Sequence, residues 1–359
     1  MQLINAYFIT MNRKALTWVV VTAVTLALIL AIYTYYRLHT LGAFTKVLRH
    51  HEASCRISAP VTGAEAIQLD KESGILYFIG NNTCFPQKAG GIYHMDLTED
   101  FPKHHPFKFS TPKDFHPHGL SYFRGKQGEK FLLTNNHRKD GTHSVEVFQI
   151  TANRVLKHLK TLTSPQLTSP NDLVAISPDQ FYLTNDGRAH NRKTRAIDTF
   201  LNRRTGSVLY YDGVRFKKVL DNLKFPNGIA FDSLEKRLFI GETLSGYVKG
   251  YQVLENNDLQ FQSEISVAVG IDNLSWAGPG RLLVAVHPDL YSLSKHIKNS
   301  TFASPSRLFQ LDADQGEKEI IFESSGDNTP GVSSAVRYKQ QLILGTVCSQ
   351  LFVCEGAGY

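Results

Sequence analysis

The chain has little of what usually announces a chemistry or a compartment. Four cysteines, three methionines and two tryptophans in 359 residues do not make a disulfide-only scaffold. Excess charge is scarce as well: lysine plus arginine exceeds aspartate plus glutamate by 39 − 32 = 7. Two of those cations, Arg13 and Lys14, lie in a first stretch of 36 residues that has no acid, leaving about +5 for the remainder. So weak a balance argues against a nucleic-acid partner. Disorder is excluded in turn, because 42% of the residues are hydrophobic and 11% aromatic, enough to bury a sizeable core. Beyond residue 50 there is no long apolar helical period. Short β-rich runs separated by Gly, Pro, Asn and Asp take its place.

One long apolar run does exist. Ala15 to Tyr36 carries no charged side chain, and a helix of that length spans roughly 33 Å, a bilayer core. It exceeds the h-region of a signal peptide and no clear A-x-A site follows, so the reading is a signal-anchor over residues 15–36. A tail of 1–14 precedes it, a linker of 37–54 follows, and the globular part occupies 55–359. Cleavage of the segment would instead make the protein secreted. Arg13 and Lys14 before the run are matched by Arg37, Lys46 and Arg49 after it, so charge does not orient it. An even cysteine count, with Cys55 and Cys354 near the two ends of the globular part, suggests a disulfide joining the chain ends. The alternative is four reduced core thiols. Sequons at Asn81 and Asn299 agree with a lumenal or extracellular domain, in the endoplasmic reticulum or at the cell surface.

The β-rich runs recur. Ile79, Leu133, Leu183, Ile240, Val284 and Leu344 sit in similar segments at steps of 54, 50, 57, 44 and 60, averaging 53. Upstream of each lies a small polar or chelating position. Glu65, His118, Asn171, Asn227, Asn273 and Ser334 fall at steps of 53, 53, 56, 46 and 61. Two registers that agree on six units of this length specify an all-β, six-bladed β-propeller with one amino-terminal transmembrane helix before it. In such a ring the first strand of each blade lines the channel. Residues scattered over the chain therefore converge on the axis.

That convergence suggests a chemistry. Glu65 and Asp272 offer two carboxylates, and Asn171, Asn227 and Asn273 three amide oxygens. An all-oxygen set with two negative charges suits Ca2+ rather than zinc, which favours His and Cys. His118 shares the ring, and His137 can reach it from the neighbouring strand, a pairing suited to a general base and its orienting partner. Taken singly, each of these residues reads equally as a turn residue or a satisfied inner-strand group. Agreement of register across blades is what turns demand no part of.

The segments Phe115-His116-Pro117-His118-Gly119-Leu120, Asn171-Asp172-Leu173, Thr184-Asn185-Asp186, Asn227-Gly228-Ile229, Asp272-Asn273 with His287-Pro288, and Leu344-Gly345-Thr346-Val347 closing at Cys354-Glu355 together resemble the serum paraoxonase/arylesterase family. The resemblance implies a six-bladed propeller with two axial calcium ions that hydrolyses aryl esters and lactones. It places Glu65, Asn171, Asn227, Asp272 and Asn273 on the catalytic calcium, His118 and His137 as a histidine dyad, and Cys55–Cys354 as a ring-closing disulfide. It also implies an uncleaved hydrophobic amino terminus. Two departures stand out. The family has an acidic ligand of the second, structural calcium where this chain has Ala66, leaving Asp172 for that site. Where the family has an apolar, aromatic-rich helix over the site, Arg188 to Arg204 is basic and reads as a solvated loop, or as a selector of anionic substrates or lipid headgroups. The expected activity is a membrane-anchored, calcium-dependent ester or lactone hydrolase acting on a small molecule. The rival is a non-catalytic membrane-anchored factor assisting folding or assembly of membrane proteins. A sugar-lactonase or strictosidine-synthase-like propeller fits the His-Pro-His-Gly and Asp-Asn elements less well.

Overall fold

The computed structural model describes residues 13–47, 54–80, 84, 90–110, 112, 114–189 and 191–356. Six four-stranded antiparallel sheets form the globular part. Blade 1 is β2(Ile67–Asp70), β3(Ile75–Gly80), β4(Gly91–Asp96) and β5(His104–Pro106). Blade 2 runs through β6(Pro117–Arg124), β7(Lys130–His137), β8(His143–Ile150) and β9(Leu156–Thr163). Blade 3 is β10(Pro170–Ser177), β11(Gln180–Asn185), β12(Gly206–Tyr211) and β13(Phe216–Leu223). Blade 4 follows as β14(Pro226–Asp232), β15(Arg237–Glu242), β16(Tyr247–Val253) and β17(Leu259–Ser266). Blade 5 comprises β18(Ile271–Gly278), β19(Arg281–Val286), β20(Ser306–Asp312) and β21(Lys318–Ser324).

The last blade is made from both ends of the ring. β22(Val332–Tyr338), β23(Gln341–Thr346) and β24(Leu351–Glu355) are completed by β1(Cys55–Ala59), which pairs antiparallel with β24. Cys55 faces Cys354 in that register, and the two form a disulfide. A second disulfide joins Cys84 to Cys348. Both cysteine pairs therefore tie blade 6 to the start of the ring.

The second strand of each blade explains the recurring apolar runs. β3 is buried along its whole length and β11, β15, β19 and β23 along nearly all of it. A strand covered on both faces by neighbouring blades must be apolar on both, so it reads as a run and not as an alternation. The core accordingly lies in the seams. Tyr77 and Ile79 of blade 1 pack with Leu132 and Phe148 of blade 2, and Phe239 and Val248 of blade 4 with Leu282 and Phe309 of blade 5. The outer strands β9, β13 and β17 are largely open to solvent.

Among the described residues, three helices accompany the ring. The first, α1(Arg13–Thr40), has 28 residues, and the side chains of its uncharged run are mostly exposed. It is long and apolar enough to cross a membrane. α2(Arg192–Phe200) occupies the stretch expected to be a solvated loop. The physical reason is local: Asn191 caps it by accepting from Thr194 N, and Arg188 and Arg203 both hold Asp198 on its inner face. α3(Leu290–Lys298) is capped by Asp289.

The carboxyl end of α1 is docked, not free. Arg37 is 3% exposed, and its Nε and Nη2 donate to Phe200 O and Thr199 O, each at 2.8 Å. Tyr33 Oη donates to Phe200 O at 3.1 Å, and its ring meets the Phe200 ring edge-on. Beyond the helix, Leu290 N donates to Leu41 O at 3.0 Å. A Cβ at Gly42, whose φ is +81°, would lie 1.8 Å from Pro288 O, so only glycine fits there.

Candidate active site

The six first strands, β2, β6, β10, β14, β18 and β22, touch one another in a closed ring. Their amino-terminal ends, and the residues just before β2, carry the polar positions picked from the repeat. Gly228 shows what that packing demands. It lies within β14, and a Cβ there would stand 2.5 Å from Asp272 O and Leu274 N. Asn227-Gly228 is therefore a strand pair that lets two backbones approach, not a turn.

Hydroxyl and amide side chains lace the ring together. Asn135 Nδ2 donates to Asn171 O at 2.9 Å, from blade 2 to blade 3. Thr184 Oγ1 donates to Asn227 O at 2.7 Å, from blade 3 to blade 4, and Thr243 Oγ1 to Ile271 O at 2.6 Å, from blade 4 to blade 5. Ser334 Oγ and Ser333 Oγ donate to Glu65 O at 2.6 and 2.9 Å, returning from blade 6 to the start. Asn273 Nδ2 lies 3.4 Å from the same Glu65 carbonyl. These backbone carbonyls on the axis are thus satisfied by side chains of the neighbouring blades.

Glu65, Asn171, Asp172, Asn227 and Asp272 are each less than a tenth exposed. His118 Nδ1 stands 3.1 Å from Glu65 Oε2. The contact sets the ring against a carboxylate, which favours its charged form. Burial alone would push the His118 imidazolium down, but Glu65 beside it, with Asp186 and Asp272, outweighs that and holds its pKa above the ordinary histidine value. The His118 and His137 rings lie 4.8 Å apart between centroids. His137 Nε2 donates to Pro170 O at 2.6 Å, which fixes that ring's tautomer. His143, on the strand paired with it, packs a third ring 4.8 Å from His137. Asp172 accepts from Leu173 N at 2.8 Å and Ile229 N at 3.2 Å, yet burial pushes its carboxyl up to about 7.

Two axial groups escape a reading based on the first strands alone. His287 Nε2 donates to Asp272 Oδ2 at 2.7 Å, and its buried Nδ1 has no hydrogen-bond partner. Asp186 Oδ2 accepts from Asn171 Nδ2 at 3.2 Å and from Arg195 of α2 at 2.7 Å. The signal for them was present: His287 and Asp186 each stand 15 residues after Asp272 and Asn171. That is the distance from the start of a first strand, around its hairpin, to the end of the second. Elsewhere, His116 pairs with Asp114 at 2.9 Å, Asn299 is exposed at the end of α3, and Asn81 lies outside the described residues.

The donor set can be tested against calcium. Among the described residues no group of three His, Cys, Asp or Glu side chains is placed to hold a metal, so a site here must use amide oxygens. Asn227 Oδ1 is buried without a hydrogen-bond partner, and the Asn171 amide is turned by Asp186 so that its nitrogen is taken. Two carboxylates with amide oxygens fit a hard divalent cation. Ala66 supplies no oxygen from its side chain to a second site.

A sequence profile of the arylesterase family matches residues 67–356. The chain belongs to the arylesterase family. Among curated relatives in this family, it is 28% identical to serum paraoxonase/arylesterase 2 of Rattus norvegicus over 315 residues, covering 84% of this chain and 88% of that one. It is 28% identical to serum paraoxonase/arylesterase 1 of Mus musculus over 346 residues, 91% and 97% of the two chains. Serum paraoxonase/lactonase 3 of Rattus norvegicus is 27% identical, at 78% and 80% coverage. Among solved structures, a luciferin-regenerating enzyme aligns with a TM-score of 0.54 at 14% identity, over 87% of this chain and 96% of that one. The calcium-binding protein regucalcin of Agrobacterium tumefaciens aligns at 0.50 and 12%, over 85% and 92%. At those identities the structural likeness speaks to the propeller fold alone.

Proposed function

We propose that this arylesterase-family chain is a calcium-dependent hydrolase of carboxylic esters and lactones, held in a membrane by α1 with its propeller on the lumenal or extracellular side. The observation that supports the reading is the meeting of Glu65, His118 and Asp272 on one axis, with His118 Nδ1 3.1 Å from Glu65 Oε2 and both carboxylates favouring the charged ring. Glu65, Asn171, Asn227, Asp272 and Asn273 are the residues that would hold the calcium, which supplies Lewis-acid polarisation of an ester carbonyl. His118 Nε2 takes a proton from water as the water oxygen bonds to the carbonyl carbon. The ester C–O bond then breaks, and the departing alkoxide recovers that proton from His118. Glu65 steadies the imidazolium between the two transfers, and His137, anchored on Pro170 O, orients the ring.

The test is turnover of phenyl acetate, a phosphotriester, and short and long aliphatic lactones by the full chain in detergent or nanodiscs. Chelation and Asp272→Ala each abolish activity, and His118→Gln lowers kcat with little change in KM. A folded, calcium-binding chain that turns over no member of the panel overturns the hydrolase reading in favour of the assembly-factor one.

A further inference from the structure

We infer that this propeller holds one calcium ion only, because the deeper axial site where its family would carry a second is closed by Ala66. The inference rests on the calcium reading of the first site. Beside the candidate ligand Asn273, and reaching up to three residues beyond Glu65 along the first strands, lies a narrow void of about 10 Å³, with Ala66 and Leu120 on its apolar side and Gln68, Asp172, Asn273, Ser275 and Ser334 on its polar side. Calcium needs six to eight oxygen donors and enough negative charge to offset its lost hydration. The void offers a single carboxylate. Both oxygens of that carboxylate already accept a backbone amide, Oδ1 from Leu173 and Oδ2 from Ile229.

Ala66 is not a vacancy waiting for a ligand. It is 5% exposed and packs with Ile75, Ile79 and Leu120 in the seam between blades 1 and 2. A volume this small has room for one water, for which Asp172, Ser275 and Ser334 are adequate partners. Direct bonds then do the cross-linking that an ion would do. Asp172 ties blade 3 to the amide of Ile229 in blade 4, Ser121 Oγ accepts from Ala175 N between blades 2 and 3, and Ser275 Oγ donates to Ala335 O between blades 5 and 6.

The experiment is metal-to-protein stoichiometry by mass spectrometry of the full chain in nanodiscs, after equilibrium dialysis at fixed free calcium. One ion per chain is expected, none in Asp272→Asn, and two in Ala66→Asp, where a carboxylate is restored opposite Asp172. Two ions in the wild-type chain overturn the inference, as does an ion retained by Asp272→Asn. A folded Ala66→Asp chain that still holds one ion shows that Ala66 is not what closes the site. Zero ions in the wild-type chain overturn the calcium reading itself, which separates that failure from this one. Should Ala66→Asp fail to fold by circular dichroism, the wild-type and Asp272→Asn counts still decide.

Discussion

Arg37 caps a helix to which it does not belong: its guanidinium closes on Phe200 O and Thr199 O at the carboxyl end of α2. Helix ends leave carbonyls unsatisfied, and a buried cation there is favoured by the helix dipole as well. Arg37→Ala should leave those carbonyls unpaired at a local cost of about 1–3 kcal/mol. Hydrogen exchange of the α2 amides should accelerate several-fold, with Arg37→Lys in between because an ammonium cannot bridge two carbonyls. Unchanged exchange in Arg37→Ala would show that α2 is held from below alone.

The two disulfides should not be additive. Cys55–Cys354 and Cys84–Cys348 close loops of 299 and 264 residues that share almost all of the chain. With one closed, the other removes the entropy of only a few tens of residues. Each single double-serine variant should lose roughly 2–4 kcal/mol, and removing both should exceed the sum by about 1–2 kcal/mol. Thermal unfolding of the three variants checks this. Simple additivity contradicts the nested-loop account.

Acid should weaken blade 1 through His94. Its ring is buried against Phe107 and His105. Burial, aided by Arg154 and His105, holds its pKa near 4. Because the folded value lies below the unfolded one near 6.5, the unfolded chain binds the proton first. Stability is complete above about pH 6.5 and falls as pH drops toward 4, by roughly 1–3 kcal/mol. His94→Phe should flatten that part of the stability curve, and a curve of unchanged slope would rule the residue out.

The His287–Asp272 contact predicts a metal phenotype away from the histidine pair. Removing a partner that orients a ligand typically costs 10–100-fold in affinity. His287→Gln should weaken calcium binding by about that factor in isothermal titration. Wild-type affinity in this variant would take Asp272 off the list of ligands.

Topology can be read from Asn299. It is exposed, and its Oδ1 accepts from Thr301 N and Thr301 Oγ1 within its own sequon. A chain whose propeller enters the secretory lumen should carry a glycan there. Endoglycosidase should shift its mobility, and Asn299→Gln should lose that part of the shift. Absence of any Asn299-dependent shift argues against the lumenal placement.

Much of the ring was legible because a propeller repeats its burial. The buried second strands give the apolar runs around Ile79, Leu183 and Ile240, and the crowded first strands give the polar positions from Glu65 to Ser334. What repeats once per blade is visible in one sequence. What occurs once is not. The Cys84–Cys348 pair links two loops with no counterpart in the other blades. α2 is nine residues of mixed charge whose helical state depends on Asn191 and on the ion pairs of Asp198. Arg37 looked like the first charge beyond a membrane span, and only the fold shows it spent on Phe200.

The closing strand sets a timetable for biosynthesis. β1 is made ahead of its antiparallel partner β24, whose Cys354 follows Cys55 by 299 residues. At ordinary elongation rates the wait is roughly a quarter of a minute to a minute. Throughout it, β1 has an open edge and Cys55 lacks its partner thiol, so the ring closes only once β24 has been made.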